Sequence, residues 1–99
     1  MKIFLFCFKS YPHNFPSVVS CTCTLNSDVR LVNKTIRKEV NAKSLLGITE
    51  FNRNTELLKD TIEFRISGEN ENDDLNILKD YLDFHYNIKN NKNIIIKGE

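Results

Sequence analysis

The sequence has no apolar run long enough to cross a membrane. Its longest, Ile3–Phe8, stops at Lys9 after six residues, whereas a spanning helix needs about 20. The same run is too short for the core of a secretory signal, so a cytoplasmic protein with no membrane insertion is expected. Cysteine is scarce and odd in number: Cys7, Cys21 and Cys23. With no secretory segment, that count fits reduced thiols rather than a disulfide framework. Metal ligands are equally thin. Cys21-Thr22-Cys23 lacks the spacing of a tight site and would need His13 or His85 to converge on it, so small apolar filler is the simpler reading and neither metal nor cofactor is expected. Excess charge of either sign is missing too. The net charge is +1, which gives no argument for nucleic-acid binding.

The total conceals an asymmetry. Residues 1–49 carry +5, residues 50–86 carry −6 and residues 87–99 carry +2, so the first half can offer a modest electropositive face to an acidic partner. Asn, Lys and Ile supply a third of the chain, a bias of coding rather than of function. Ninety-nine residues with 40% hydrophobic content support one domain with a small core.

Residues 2–8 read as a buried strand by their aromatic and branched content. A loop follows through His13 to Pro16, a proline that suits a first helical turn. Ser17–Leu25 is a poor helix on propensity, and local sequence leaves it unsettled. Val29–Leu31 and Ile36–Val40 alternate as strands around a polar turn near Asn33-Lys34-Thr35. Ser44 is a good N-cap for a short helix from Leu45 to Phe51, which Gly47 weakens. Residues 52–60 read as polar loop. Thr61–Ser67 alternates cleanly and sets Ile62, Phe64 and Ile66 on one face. After Gly68, the side chains of Asn70, Asn72 and Asp73 offer caps to a helix whose stripe is Leu75, Leu78 and Leu82, ending near Phe84 or His85. Ile94–Ile96 is either an added strand or a frayed, sticky end. The elements predict an α+β open-faced sandwich: a four-stranded antiparallel sheet covered on one face by helices. The domain is expected over residues 1–86, with 87–99 as an extension.

Three stretches coincide with one family. Val40-Asn41-Ala42-Lys43-Ser44-Leu45-Leu46-Gly47 resembles the regulatory-serine segment of HPr, the histidine-containing phosphocarrier of the phosphoenolpyruvate:sugar phosphotransferase system. Ser67–Leu78 resembles the turn and last helix of that family. His13-Asn14-Phe15-Pro16 is similar to its His-x-Arg-Pro signature, and His13 and Ser44 stand 31 residues apart, near the family's spacing. Phe15 replaces the family's arginine and Tyr11 its glycine. The resemblance implies an HPr-like fold and a covalent relay rather than an independent enzyme.

It further implies that His13, with Pro16 behind it, accepts a phosphoryl group from enzyme I and passes it to sugar-specific enzyme IIA domains. A histidine with its usual pKa near 6.5 is available in the neutral, nucleophilic form, and helix-start N–H groups can hold the phosphate oxygens. Loss of the arginine's charge-assisted contact should slow transfer about tenfold to a hundredfold, unless Lys9 or Arg53 substitutes. Ser44 would be the regulatory phosphorylation site for an HPr kinase, although capping alone explains a serine there. Phe15, Val18, Leu45, Leu46 and Ile48 would dock the partners. The alternative is a non-catalytic regulatory module that uses the Ser44 surface to bind a partner such as a catabolite repressor. His85 reads as a surface residue, and the acidic run Glu69–Asp74 as a helix start rather than a carboxylate catalyst.

Overall fold

The computed structural model describes residues 1–86, 88 and 94–96. Its elements are β1 (Lys2–Phe6), a 3-10 turn (Phe15–Val18) that runs into α1 (Val19–Thr22), β2 (Asp28–Asn33), β3 (Lys38–Asn41), α2 (Leu45–Asn54), β4 (Ile62–Ser67), α3 (Glu71–His85) and β5 (Ile94–Ile96). The sheet order is β3-β2-β4-β1-β5, and every neighbouring pair is antiparallel. The expected four strands are present, and β5 extends them at the β1 edge, so the first of the two readings of Ile94–Ile96 holds. The rest of the 87–99 extension lies outside the described residues, Ile88 excepted, which bridges to Phe8.

Register explains the core. Phe4 lies opposite Phe64, and Phe64 opposite Leu31, so period-2 alternation sends these side chains to the same face. Phe6 stacks on Phe4 and on Phe64 with ring centroids 5.5 Å apart in each pair. Ile62, Phe64 and Ile66 are buried with Leu75, Leu78 and Leu82 of α3 and Ile48 and Phe51 of α2. Each fully buried side chain of this layer contributes about 1.5–3 kcal/mol.

Local polar chemistry decides where elements end. The first helix is short and begins earlier than Ser17. The hydroxyls of Ser20 and Thr24 each donate to the carbonyl three residues back, at 2.8 and 2.7 Å, competing with backbone helix bonding. At α3 the expected cap is corrected: Asn70 occupies the N-cap position without a side-chain bond. Acids fill the first turn instead. Buried Asp74 accepts the Ser27 N–H at 2.8 Å, tying the helix start to the approach to β2. Glu71 lies 3.1 Å from the N-terminal amine, whose hydrogen bond holds its carboxyl below the usual range.

The stretch 52–60 is not wholly polar loop. Helix α2 runs to Asn54, and Leu57 is buried. The organiser is Asn33, fully buried at the end of β2. Its Nδ2 donates to Thr55 Oγ1 at 3.0 Å and Asp60 Oδ2 at 2.9 Å. Its Oδ1 accepts from Thr35 N at 3.0 Å and Ile36 N at 3.3 Å, shaping a turn that places Arg37 at φ 56 and moves the start of β3 to Lys38. Asn33→Leu should lower stability by about 2–3 kcal/mol, because buried partners lose their bonds. For a domain of this size that is a fall in Tm of roughly 10–20 °C, measurable by calorimetry; a loss under about 3 °C would show that the network does not organise these loops.

Candidate functional site

His13 sits in a tight turn at the mouth of the first helix. Its N–H donates to Tyr11 O at 3.1 Å, Pro12 before it is buried and the histidine is exposed. The Tyr11 ring packs edge-on against the imidazole at 5.2 Å. Asn14 then takes a left-handed conformation (φ 63, ψ 31) as N-cap of the 3-10 turn. Asparagine tolerates that region better than most residues. Its carbonyl accepts from Ser17 N at 2.9 Å and from Tyr86 Oη at 3.1 Å. Pro16 falls in the first turn as expected, where the missing N–H costs nothing. Pro16 has no N–H and Ser17 N is taken by the Asn14 carbonyl, so Phe15 N is the first-turn amide left without an intrahelical partner, as expected at a helix start. No acidic side chain stands in the turn.

The expected docking set divides. Phe15, Val18 and Ile48 are fully buried, which corrects their assignment as docking residues: no partner can reach them. Phe15 packs edge-on against Phe8 at 5.5 Å and lies 5.9 Å from Tyr86, so the position where the resemblance calls for a mobile arginine is a core position here. Leu45 and Leu46 are 57% and 81% exposed and remain available at the surface. Among the described residues neither Lys9 nor Arg53 is hydrogen-bonded to His13, and Arg53 lies 3.4 Å from Glu50 on its own helix.

Ser44 is the N-cap of α2, its Oγ accepting from Gly47 N at 3.0 Å. The glycine that weakens the helix on propensity has a local reason. A Cβ there would stand 3.3 Å from Ser44 and 3.4 Å from the Asn41 carbonyl, a tight fit. The Ser44 segment and the first helix are joined directly: Thr22 Oγ1 donates to Ala42 O at 2.5 Å, Cys23 Sγ to Lys43 O at 3.3 Å, and Lys43 Nζ to Leu25 O at 2.7 Å.

The cysteines also divide. Cys21 is buried filler, its thiol pushed up chiefly by burial and also by the charge of Asp74, while Cys7 and Cys23 are exposed. Among the described residues no three His, Cys, Asp or Glu side chains converge as metal ligands, and no helix is long and apolar enough to cross a membrane. His85 is exposed as expected, its ring 4.1 Å from that of Tyr81. Tyr86 is the site residue that sequence reasoning missed. It follows the helical stripe of α3, and nothing local marks its contact with a turn 72 residues earlier.

The architecture has known counterparts. The histidine-containing phosphocarrier protein of a mycoplasma superposes with a TM-score of 0.63 at 14% identity, covering 83% of this chain and 91% of its own. HPr-C-His from Thermoanaerobacter tengcongensis gives a TM-score of 0.63 at 20% identity, covering 84% and 91% respectively. The chain has the HPr-like fold. By sequence, no protein-family model and no curated protein matches it. The HPr-like part is the four-stranded sheet with its three helices. In this chain His13 and Pro16 open the first helix of that fold and Ser44 opens the second.

Proposed function

We propose that the chain is a phosphocarrier, taking a phosphoryl group on His13 from phosphorylated enzyme I and passing it to enzyme IIA domains in the cytoplasm. The observation that carries this reading is an exposed histidine on the turn entering the first helix of an HPr-like fold, with Pro16 in the first turn. A neutral imidazole nitrogen attacks phosphorus; the N–P bond forms as the donor's bond to phosphorus breaks, and the reverse step delivers the group onward. The Phe15 amide at the start of the turn offers a hydrogen bond to a phosphate oxygen, and transfer depends on positioning and charge stabilisation. With the Phe15 side chain in the core, no arginine adds to that stabilisation from this position.

A second reading is favoured by Leu45 and Leu46, exposed beside a serine at a helix start. In it the Ser44 surface binds a regulatory partner, and phosphate on Ser44, tolerated by the helix dipole, changes recognition more than fold. One assay separates the two. The chain is incubated with phosphoenolpyruvate and an enzyme I from a low-GC Gram-positive bacterium, shown active on its own carrier, and its intact mass is recorded. An acid-labile mass gain of one phosphate is the carrier's result. No gain across enzymes I from several such bacteria would move the reading to the regulator, with HPr kinase acting on Ser44 as the next test.

A further inference from the structure

We infer that the Tyr86 hydroxyl is a positioning group for the His13 turn, fixing from the end of α3 the backbone on which the imidazole is mounted. Its kinetic consequence rests on the phosphocarrier reading; its structural consequence does not. Asn14 follows His13 directly and is one of two non-glycine residues at positive φ among the described residues. Such a conformation costs free energy and persists where its surroundings hold it. Two donors converge on the Asn14 carbonyl: Ser17 N from within the turn at 2.9 Å and Tyr86 Oη from outside it at 3.1 Å. Since the phenol proton goes to that carbonyl, the Ser17 hydroxyl, 3.0 Å from Tyr86 Oη, donates to the phenol oxygen. One side chain therefore grips both ends of the Asn14–Ser17 turn.

The grip is rigid because the ring is packed. Tyr86 is buried, 6.0 Å from Phe8 and 5.9 Å from Phe15 by ring centroids, both core residues. Burial raises its phenol above the ordinary tyrosine range, outweighing the opposing Ser17 hydrogen bond, so the group stays a neutral donor at physiological pH. Tyr81, on the same helix, is the natural comparison. Its hydroxyl lies 3.3 Å from Ser20 Oγ and donates to Ser17 O at 3.3 Å, a carbonyl already served by Ser20 Oγ at 2.8 Å. Tyr81 approaches the helix body, whereas Tyr86 approaches the residue that orients His13.

The test uses the full chain with Tyr86→Phe, which keeps the ring and removes the hydroxyl, beside Tyr81→Phe. Tyr86→Phe should lower the maximal rate of phosphorylation by enzyme I about tenfold with the KM for enzyme I unchanged, and should shift or broaden the His13 and Asn14 amide resonances. Tyr81→Phe should change the rate less than about twofold and leave those amides in place. A Tyr86→Phe rate within twofold of the parent, an effect carried by KM, or an equal effect from Tyr81→Phe would overturn the inference. If the parent chain accepts no phosphate, the carrier reading fails by itself and the amide resonances decide: altered in Tyr86→Phe only, the positioning role stands; unaltered, it falls. Should Tyr86→Phe not fold, the parent chain decides: a Tyr86 hydroxyl proton slow enough in exchange to be seen by NMR supports the bond to the Asn14 carbonyl, and a phenol proton that exchanges freely with water overturns it.

Discussion

Phe15→Arg, the change that would restore a His-x-Arg-Pro signature, should unfold the domain instead of quickening transfer. Phe15 is 0% exposed, and its ring meets Phe8 edge-on at 5.5 Å beneath the turn that carries His13. A guanidinium there would be buried with no acidic group in the first turn to pair with, and a buried unpaired charge costs several kcal/mol. The loss of aromatic packing adds about 3–5 kcal/mol. Together these approach the whole stability of a small domain, about 5–15 kcal/mol. Circular dichroism should show no cooperative melt for Phe15→Arg, whereas Phe15→Leu should melt cooperatively with Tm lowered by only about 5–10 °C. A folded Phe15→Arg with faster phosphorylation would mean that this position faces the phosphate after all.

The same residue shows where sequence stops informing. Strand β4 and helix α3 were legible because their periodicities, two and 3.6, are written in consecutive residues: Ile62, Phe64 and Ile66, then Leu75, Leu78 and Leu82. Ser44 as a cap was legible because capping spans four residues. The His-x-Phe-Pro turn was legible as a motif, but the direction of Phe15 was not. It depends on the left-handed Asn14, which swings the next side chain toward Phe8, and that conformation is sustained partly by Tyr86, a partner 72 residues away. Asn33 makes the same point. A polar residue near a turn reads as surface, yet here it is fully buried because Thr55 and Asp60 come to it from a loop far along the chain. Ile48 and Val18 misled for a related reason: being apolar near a helix start does not say which side of the helix meets the sheet.

His13→Ala should abolish acid-labile phosphorylation while leaving the fold intact, the converse of what is expected two residues later. The imidazole is exposed, and its ring contact is with Tyr11, itself half exposed. The turn is held through backbone groups, namely His13 N to Tyr11 O and the Asn14 carbonyl, which alanine retains. Surface substitutions of this kind stay within about 0.5 kcal/mol, so Tm should move by no more than about 4 °C. Transfer has no such tolerance, since the phosphoryl group has to form a bond to that nitrogen. The chain has one other histidine, His85, exposed against Tyr81 beside the tyrosine that reaches the His13 turn. His85→Ala is therefore the required companion and should keep the full label. A label that survived His13→Ala and vanished in His85→Ala would move the acceptor to the end of α3; one that survived both and resisted acid would point to a hydroxyl, Ser44 first. Intact mass before and after mild acid treatment, on the parent and the two single variants, distinguishes these results.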